Sequence, residues 1–218
     1  MNFSDLKGVL VTGTDTHIGK TYVSALILEE LRREGRQPLG LKPVSSGDRE
    51  DAARLWEAAG RIRSMDEVNP ISYRTPVAPY TAGQLEGPAL QLEEMVRQIK
   101  EVSYGADFTL VEGAGGWTVP LGKLENGSIF TIADLAKELG FPVLVVAANW
   151  LGAINHTVLT TKAVQADCLE CLGVVLNYPQ AERDVAAVTN RAVLAEMLSV
   201  PILGEVMTDA TEIDWQEG

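Results

Sequence analysis

Three features of the 218-residue sequence predict an α/β fold, a mostly parallel sheet with helices on both faces. Short apolar runs recur without polar alternation, helix-length segments separate them, and a glycine-bearing segment joins the first run to the first helix. The runs, at 9–11, 39–41, 108–111, 143–148 and 172–176, are rich in β-branched residues and read as strands buried on both faces. Between them, Val23, Ile27 and Leu31 share one face of a first helix that ends at Gly35 after Arg32 and Arg33. Leu92, Met95, Val96, Ile99 and Val102 repeat at helical spacing in another, and a third starts near Thr131 and closes at Gly140 before Pro142. Residues 62–87, with Pro70, Pro76 and Pro79, are the least regular stretch and read as an excursion within one domain spanning 1–218.

Composition narrows the function. With 46% hydrophobic and 22% charged residues the chain can bury a core without staples. Its 18 Lys and Arg against 30 Asp and Glu give a net charge of −12, which repels phosphate backbones and anionic lipid, so neither nucleic acid nor a membrane surface is expected as a partner. Apolar runs of the ~18 residues a membrane helix needs are absent, and residues 1–7 lack the order of a signal peptide, which predicts a cytoplasmic protein. Cys168 and Cys171 lead into a strand instead of opening a helix, so they are expected to be reduced thiols in or near the core.

On an open parallel sheet, ligands bind beyond the carboxyl ends of the strands. The polar positions there are the 13–21 loop, Lys42, Glu112 with the run Gly113, Ala114, Gly115 and Gly116, Asn149 and Asn177, and they should share one rim. The loop reads Gly13, Thr14, Asp15, Thr16, His17, Ile18, Gly19, Lys20, Thr21 between the first strand and first helix. Glycine lets backbone approach a phosphate, the N–H groups and helix N-terminus face its charge, Lys20 reaches the outer phosphates, and Thr21 can ligate Mg²⁺. This is a P-loop nucleotide-binding pattern with five residues between its glycines where four are usual.

A nucleotide polyphosphate brings Mg²⁺, which favours few carboxylates. Glu112 is a charge at the end of a buried run, and Asp51 opens a helix, either as a metal ligand or as a first-turn acid answering the helix dipole. Lys42 would neutralise a transferring phosphoryl group from a second side, and the loop with Ser45, Ser46 and Gly47 could hold a small anion or amine. Asn177 can read a purine edge or form a turn before Pro179. Leu151, Gly152, Ala153, Ile154 and Asn155 open a helix whose free N–H groups could bind a carboxylate, and Trp117 and Trp150 are expected as walls, with Trp56 in packing.

Taken in order, the segments 11–21, 41–47, 111–117 and 151–156 resemble the dethiobiotin synthetase family, with the likeness running over about residues 11–206. The resemblance implies a homodimer and a reaction in which diaminopelargonic acid, CO2 and ATP give dethiobiotin, ADP and phosphate through a carbamate and its mixed anhydride with phosphate. It implies that Lys20 and Lys42 stabilise the phosphoryl group and that Thr21, Asp51 and Glu112 hold Mg²⁺. It also implies that Thr16, Lys42 and Ser46 face the carbamate, Asn177 the adenine, and the 151–155 loop of the second subunit the substrate carboxylate. His17 stands where the family often has an acid, Met207 where proline is common, and the tail carries Asp209, Glu212, Asp214 and Glu217. A partition-type ATPase switch is the competing class. Such switches place an extra lysine early in the loop, where this chain has Asp15.

Overall fold

The computed structural model describes residues 3, 5–182 and 184–216; Met1, Asn2 and Ser4 of the first seven residues and Glu217 of the tail lie outside them. In chain order the elements are β1 (Gly8–Gly13), α1 (Lys20–Arg33), β2 (Pro38–Leu41), β3 (Val44–Ser46), α2 (Glu50–Ala58), α3 (Met65–Val68), β4 (Ile71–Tyr73), α4 (Pro79–Glu86), α5 (Leu92–Val102), β5 (Phe108–Gly116) and β6 (Pro120–Lys123). They continue with β7 (Ile129–Thr131), α6 (Ile132–Leu139), β8 (Val143–Ala148), α7 (Ala153–Ala166), β9 (Cys171–Asn177), α8 (Val185–Met197), β10 (Ile202–Val206) and β11 (Asp214–Trp215).

Among the described residues, seven strands form one sheet in the order β11-β10-β9-β8-β1-β5-β2. Every pairing is parallel except β10 with β11. The five predicted strands make up the sheet from β2 to β9, with β1 between β5 and β8. Val9 and Val11 pack on one face with Val23, Ile27 and Leu31 of α1, while Leu10 and Val111 pack on the other with Met95 and Ile99 of α5 and Leu135 of α6. Burial on both faces is why these strands show no alternation.

The predicted helix ends also agree. Thr131 and Asp134 form a capping box at the start of α6, and Gly140 closes it in the left-handed region. Within 62–87, the expected irregular stretch holds α3, β4 and all of α4. Strand β5 runs on to Gly116, so Glu112 lies inside a strand, in register with Val11, and not at a strand end.

Both thiols are free; Cys171 is half-buried and packs against the core as expected, whereas Cys168 is exposed, in the left-handed region with φ 60 just after α7. Among the described residues no helix is long and apolar enough to cross a membrane.

Candidate active site

Strand β1 delivers the 13–21 loop to the carboxyl edge of the sheet, where two contacts anchor it from below. The Thr14 amide donates to the Val146 carbonyl at 3.1 Å, and Asn177 Nδ2 donates to the Ile18 carbonyl at 2.9 Å. Gly19 takes φ 88, and a Cβ there would lie 2.1 Å from Asn177 Nδ2, so both conformation and space require glycine. Helix α1 starts at the next residue without a side-chain cap, which leaves its first N–H groups facing the loop. Lys20 curls back, its Nζ 2.8 Å from the Asp15 carbonyl.

Beside the loop lies a charge cluster drawn from four elements or their ends. Lys42 Nζ sits 2.6 Å from Glu112 Oε1 and 3.1 Å from Asp51 Oδ2, and Thr21 Oγ1 donates to the same Glu112 oxygen at 2.8 Å. Lys42, Glu112 and Lys20 are all buried, at 4%, 1% and 6% exposure, which makes the pairing an internal one. Burial alone would lower Lys42, but the Glu112 and Asp51 carboxylates outweigh it and hold the ammonium above its ordinary value. Burial would likewise raise Asp51, yet Lys42 and the Thr21 hydroxyl keep it low. Lys20 goes the other way: burial and the nearby Lys42 charge lower it to about 8.

Lys20, Thr21, Lys42 and Asp51 line a cleft of about 700 Å³ whose other wall is built by β3, the start of α2 and residues 76–79, while Glu112 is buried outside its lining. Thr16, His17, Lys20, Thr21, Lys42, Ser46, Asp51 and Gly115 all line it. The two serines divide their roles. Ser45 Oγ donates to Asn69 Oδ1 at 3.0 Å within a network that includes Arg49, whereas the buried Ser46 Oγ has no protein partner.

Oxygen chemistry here fits Mg²⁺. The second Glu112 oxygen is buried and unpartnered, the Thr21 hydroxyl donates to the first, and the Asp51 carboxylate faces the same Lys42. Two carboxylates and a hydroxyl suit a cation that keeps water and phosphate as its remaining ligands. Groups of three or more His, Cys, Asp or Glu arranged for a metal are absent among the described residues.

Several expected positions lie elsewhere. Trp117 is 4% exposed, and its indole N–H donates to Asp167 Oδ2 at 2.8 Å, so it is core and not a wall. Trp150 is half-buried beside a small separate cavity with Asn149 and Tyr178. Asn149 is occupied in holding α8, donating to the Ala187 carbonyl and accepting from Asn190. Asn177 is buried beneath the loop, outside the cleft lining. Leu151, Gly152 and Asn155 are exposed, Ile154 is half-buried and Ala153 buried, and none of the five lines the cleft of its own chain. Sequence reasoning missed Tyr22 and Arg54, which do line it.

A family model described as an AAA domain matches residues 7–211. The ATP-dependent dethiobiotin synthetase BioD of Akkermansia muciniphila is 44% identical over 202 residues, 93% of this chain and 92% of that protein. The chain belongs to the ATP-dependent dethiobiotin synthetase family. Proteins of the same name from Anaeromyxobacter dehalogenans and Thermodesulfovibrio yellowstonii are 39% and 33% identical, over 88% and 95% of this chain and 86% and 90% of theirs. Among solved structures, the MinD cell division protein of Aquifex aeolicus aligns with a TM-score of 0.56 at 16% identity, covering 93% of this chain and 83% of that one. A ParA family ATPase from Chlorobium tepidum aligns at 0.58 and 14%, covering 93% and 85%. These likenesses place the chain in the P-loop nucleotide-binding fold.

Proposed function

We propose that the protein closes a ureido ring at the expense of ATP, converting diaminopelargonic acid, CO2 and ATP into dethiobiotin, ADP and phosphate. The observation that carries the reading is that the loop lysine, Lys20, and Lys42, which is paired with the buried Glu112 behind it, open onto one cleft beside an unpartnered Ser46 hydroxyl. Family membership supplies the substrate class.

In this reading the 13–21 loop binds the ATP phosphates through its amides. Thr21, Asp51 and Glu112 hold Mg²⁺, which when bound neutralises phosphate charge. One substrate amine attacks CO2 and loses a proton, giving a carbamate held by Thr16, Lys42 and Ser46. A carbamate oxygen then attacks the γ-phosphorus as the bond to ADP breaks, and Lys20 and Lys42 stabilise the charge on the transferring group from two sides. The second amine attacks the carbonyl carbon, the phosphate departs with that oxygen, and the ring closes. The Glu112 and Asp51 carboxylates hold the Lys42 ammonium above its ordinary value, which suits electrostatic stabilisation and not proton transfer. Asn177 and the loop it supports adjoin the adenine.

The substrate carboxylate is assigned to the N-terminus of α7 in a second copy. Leu151 there is 81% exposed and none of residues 151–155 lines the cleft of its own chain, while Leu159, Val185 and Val188 add exposed apolar surface on α7 and α8. The enzyme is placed in the cytoplasm, with ATP. Phosphate release should require the diamine, bicarbonate, ATP and Mg²⁺ together, with a product of dethiobiotin mass. Release undiminished without the diamine would instead identify an ATPase switch.

A further inference from the structure

Of the Lys and Arg side chains lining the cleft, Lys20 donates to Asp15 and Lys42 is held by Glu112 and Asp51, but Arg54 makes no ion pair or hydrogen bond among the described residues. Glu50 precedes it by four on α2 and also lines the cleft, the spacing at which an acid and a base commonly pair. The guanidinium lies instead over the Tyr22 ring, 4.5 Å from its centroid. Tyr22 follows Thr21 in the first turn of α1, and its hydroxyl donates to the Ala210 carbonyl beyond β10. One ring thus bridges α1 to the segment after β10 and seats a cation from α2. A guanidinium resting on an aromatic face keeps its in-plane N–H donors available at the edge, which suits an anion with several oxygens.

We propose that Arg54, seated on Tyr22, donates to a phosphate oxygen of the nucleoside di- or triphosphate held by the 13–21 loop. The inference rests on the nucleotide site described above. Three facts favour this ligand. Tyr22 lies in the same first turn of α1 as Lys20 and Thr21, the donors are unengaged, and the cleft also carries Asp48, Glu50 and Asp51, whose charge an incoming polyphosphate must meet. A cation in the same cleft offsets that repulsion.

The test is calorimetric titration of the full chain with Mg-ADP at two salt concentrations. Arg54→Ala should weaken binding roughly tenfold and flatten its salt dependence, since one charge-assisted contact is lost. Arg54→Lys should fall between, retaining charge without the fork. Tyr22→Leu should weaken binding by a smaller factor, because the cation remains but its seat is gone. Arg54 is exposed, so circular dichroism of its variants should match the parent. Wild-type ADP affinity in Arg54→Ala, with Lys20→Ala binding weakly, would overturn the proposal and leave the nucleotide site standing. Unchanged affinity in both would overturn the site itself. An Arg54 effect confined to the KM for the diamine would also refute the nucleotide contact.

Discussion

Replacing Glu112 by glutamine keeps the shape of the side chain and removes the charge that balances Lys42. In the parent, Glu112 Oε1 accepts from Lys42 at 2.6 Å and from Thr21 at 2.8 Å at a position 1% exposed. Breaking a buried ion pair by removing one partner costs about 3–5 kcal/mol. The lower end applies, because Asp51 still faces Lys42 at 3.1 Å, its side chain 54% exposed, and the new amide can accept from the ammonium. A loss of about 3 kcal/mol in a chain of this length lowers Tm by roughly 6–12 °C.

The loss should itself depend on pH. In the parent Lys42 is raised above its ordinary value, so its contribution is complete below 10.5 and declines only as pH rises through the folded-state value. Without Glu112, burial dominates and Lys42 falls below its ordinary value; the variant then gains stability as rising pH discharges the lysine, and the gap to the parent narrows. Thermal and urea unfolding at neutral and alkaline pH, without nucleotide, measure both effects. A variant melting within a degree or two of the parent at neutral pH would refute the claim that Lys42 depends on this counter-charge.

Lys20, lowered to about 8 against 10.5, titrates in the opposite sense. The unfolded chain holds that proton across the interval while the folded chain releases it, so free-protein stability gains a contribution as pH rises from about 8 to 10.5. Phosphate binding restores the charge, so calorimetry in buffers of different ionisation enthalpy should show proton uptake with ADP above about 8, and affinity falling as pH rises further. Gly19→Ala should abolish nucleotide binding, and adding Asn177→Ala should relieve the clash but leave about 1–2 kcal/mol of left-handed strain, measurable as partial recovery of stability. Trp117→Phe removes the bond to Asp167, whose other oxygen is held by Lys137 at 2.5 Å, and should cost about 1–2 kcal/mol in urea unfolding. Sedimentation should give a dimer that Leu151→Asp weakens; a fully active monomer would exclude a shared site.

Legibility in the sequence followed how local each signal was. Strand β1, the loop and α1 could be read together because Gly19, Lys20 and Thr21 sit between an apolar run and an amphipathic helix. Lys42 was readable as a charge directly after a buried strand, but its pairing with Glu112 joins residues 70 apart and needed the fold. Strands β3, β4, β6, β7 and β11 have two to four residues each and, unlike the equally short β2, present no uninterrupted apolar run of expected strand type, and β10 is not among the expected strands. Trp117 was misplaced because a tryptophan after a glycine run looks the same whether it points at the cleft or at Asp167. Tyr22 and Arg54 escaped notice because each is ordinary in its own helix, and only the crossing of α1 and α2 brings ring and guanidinium together.

In the proposed reaction a carbamate oxygen takes the γ-phosphoryl group within the cleft between Lys20 and Lys42. Turnover with heavy-oxygen-labelled bicarbonate, followed by mass spectrometry of the released phosphate, tests it directly. One labelled oxygen should pass from the carbamate into phosphate; phosphate free of label, formed at the full rate of ring closure, would contradict that transfer.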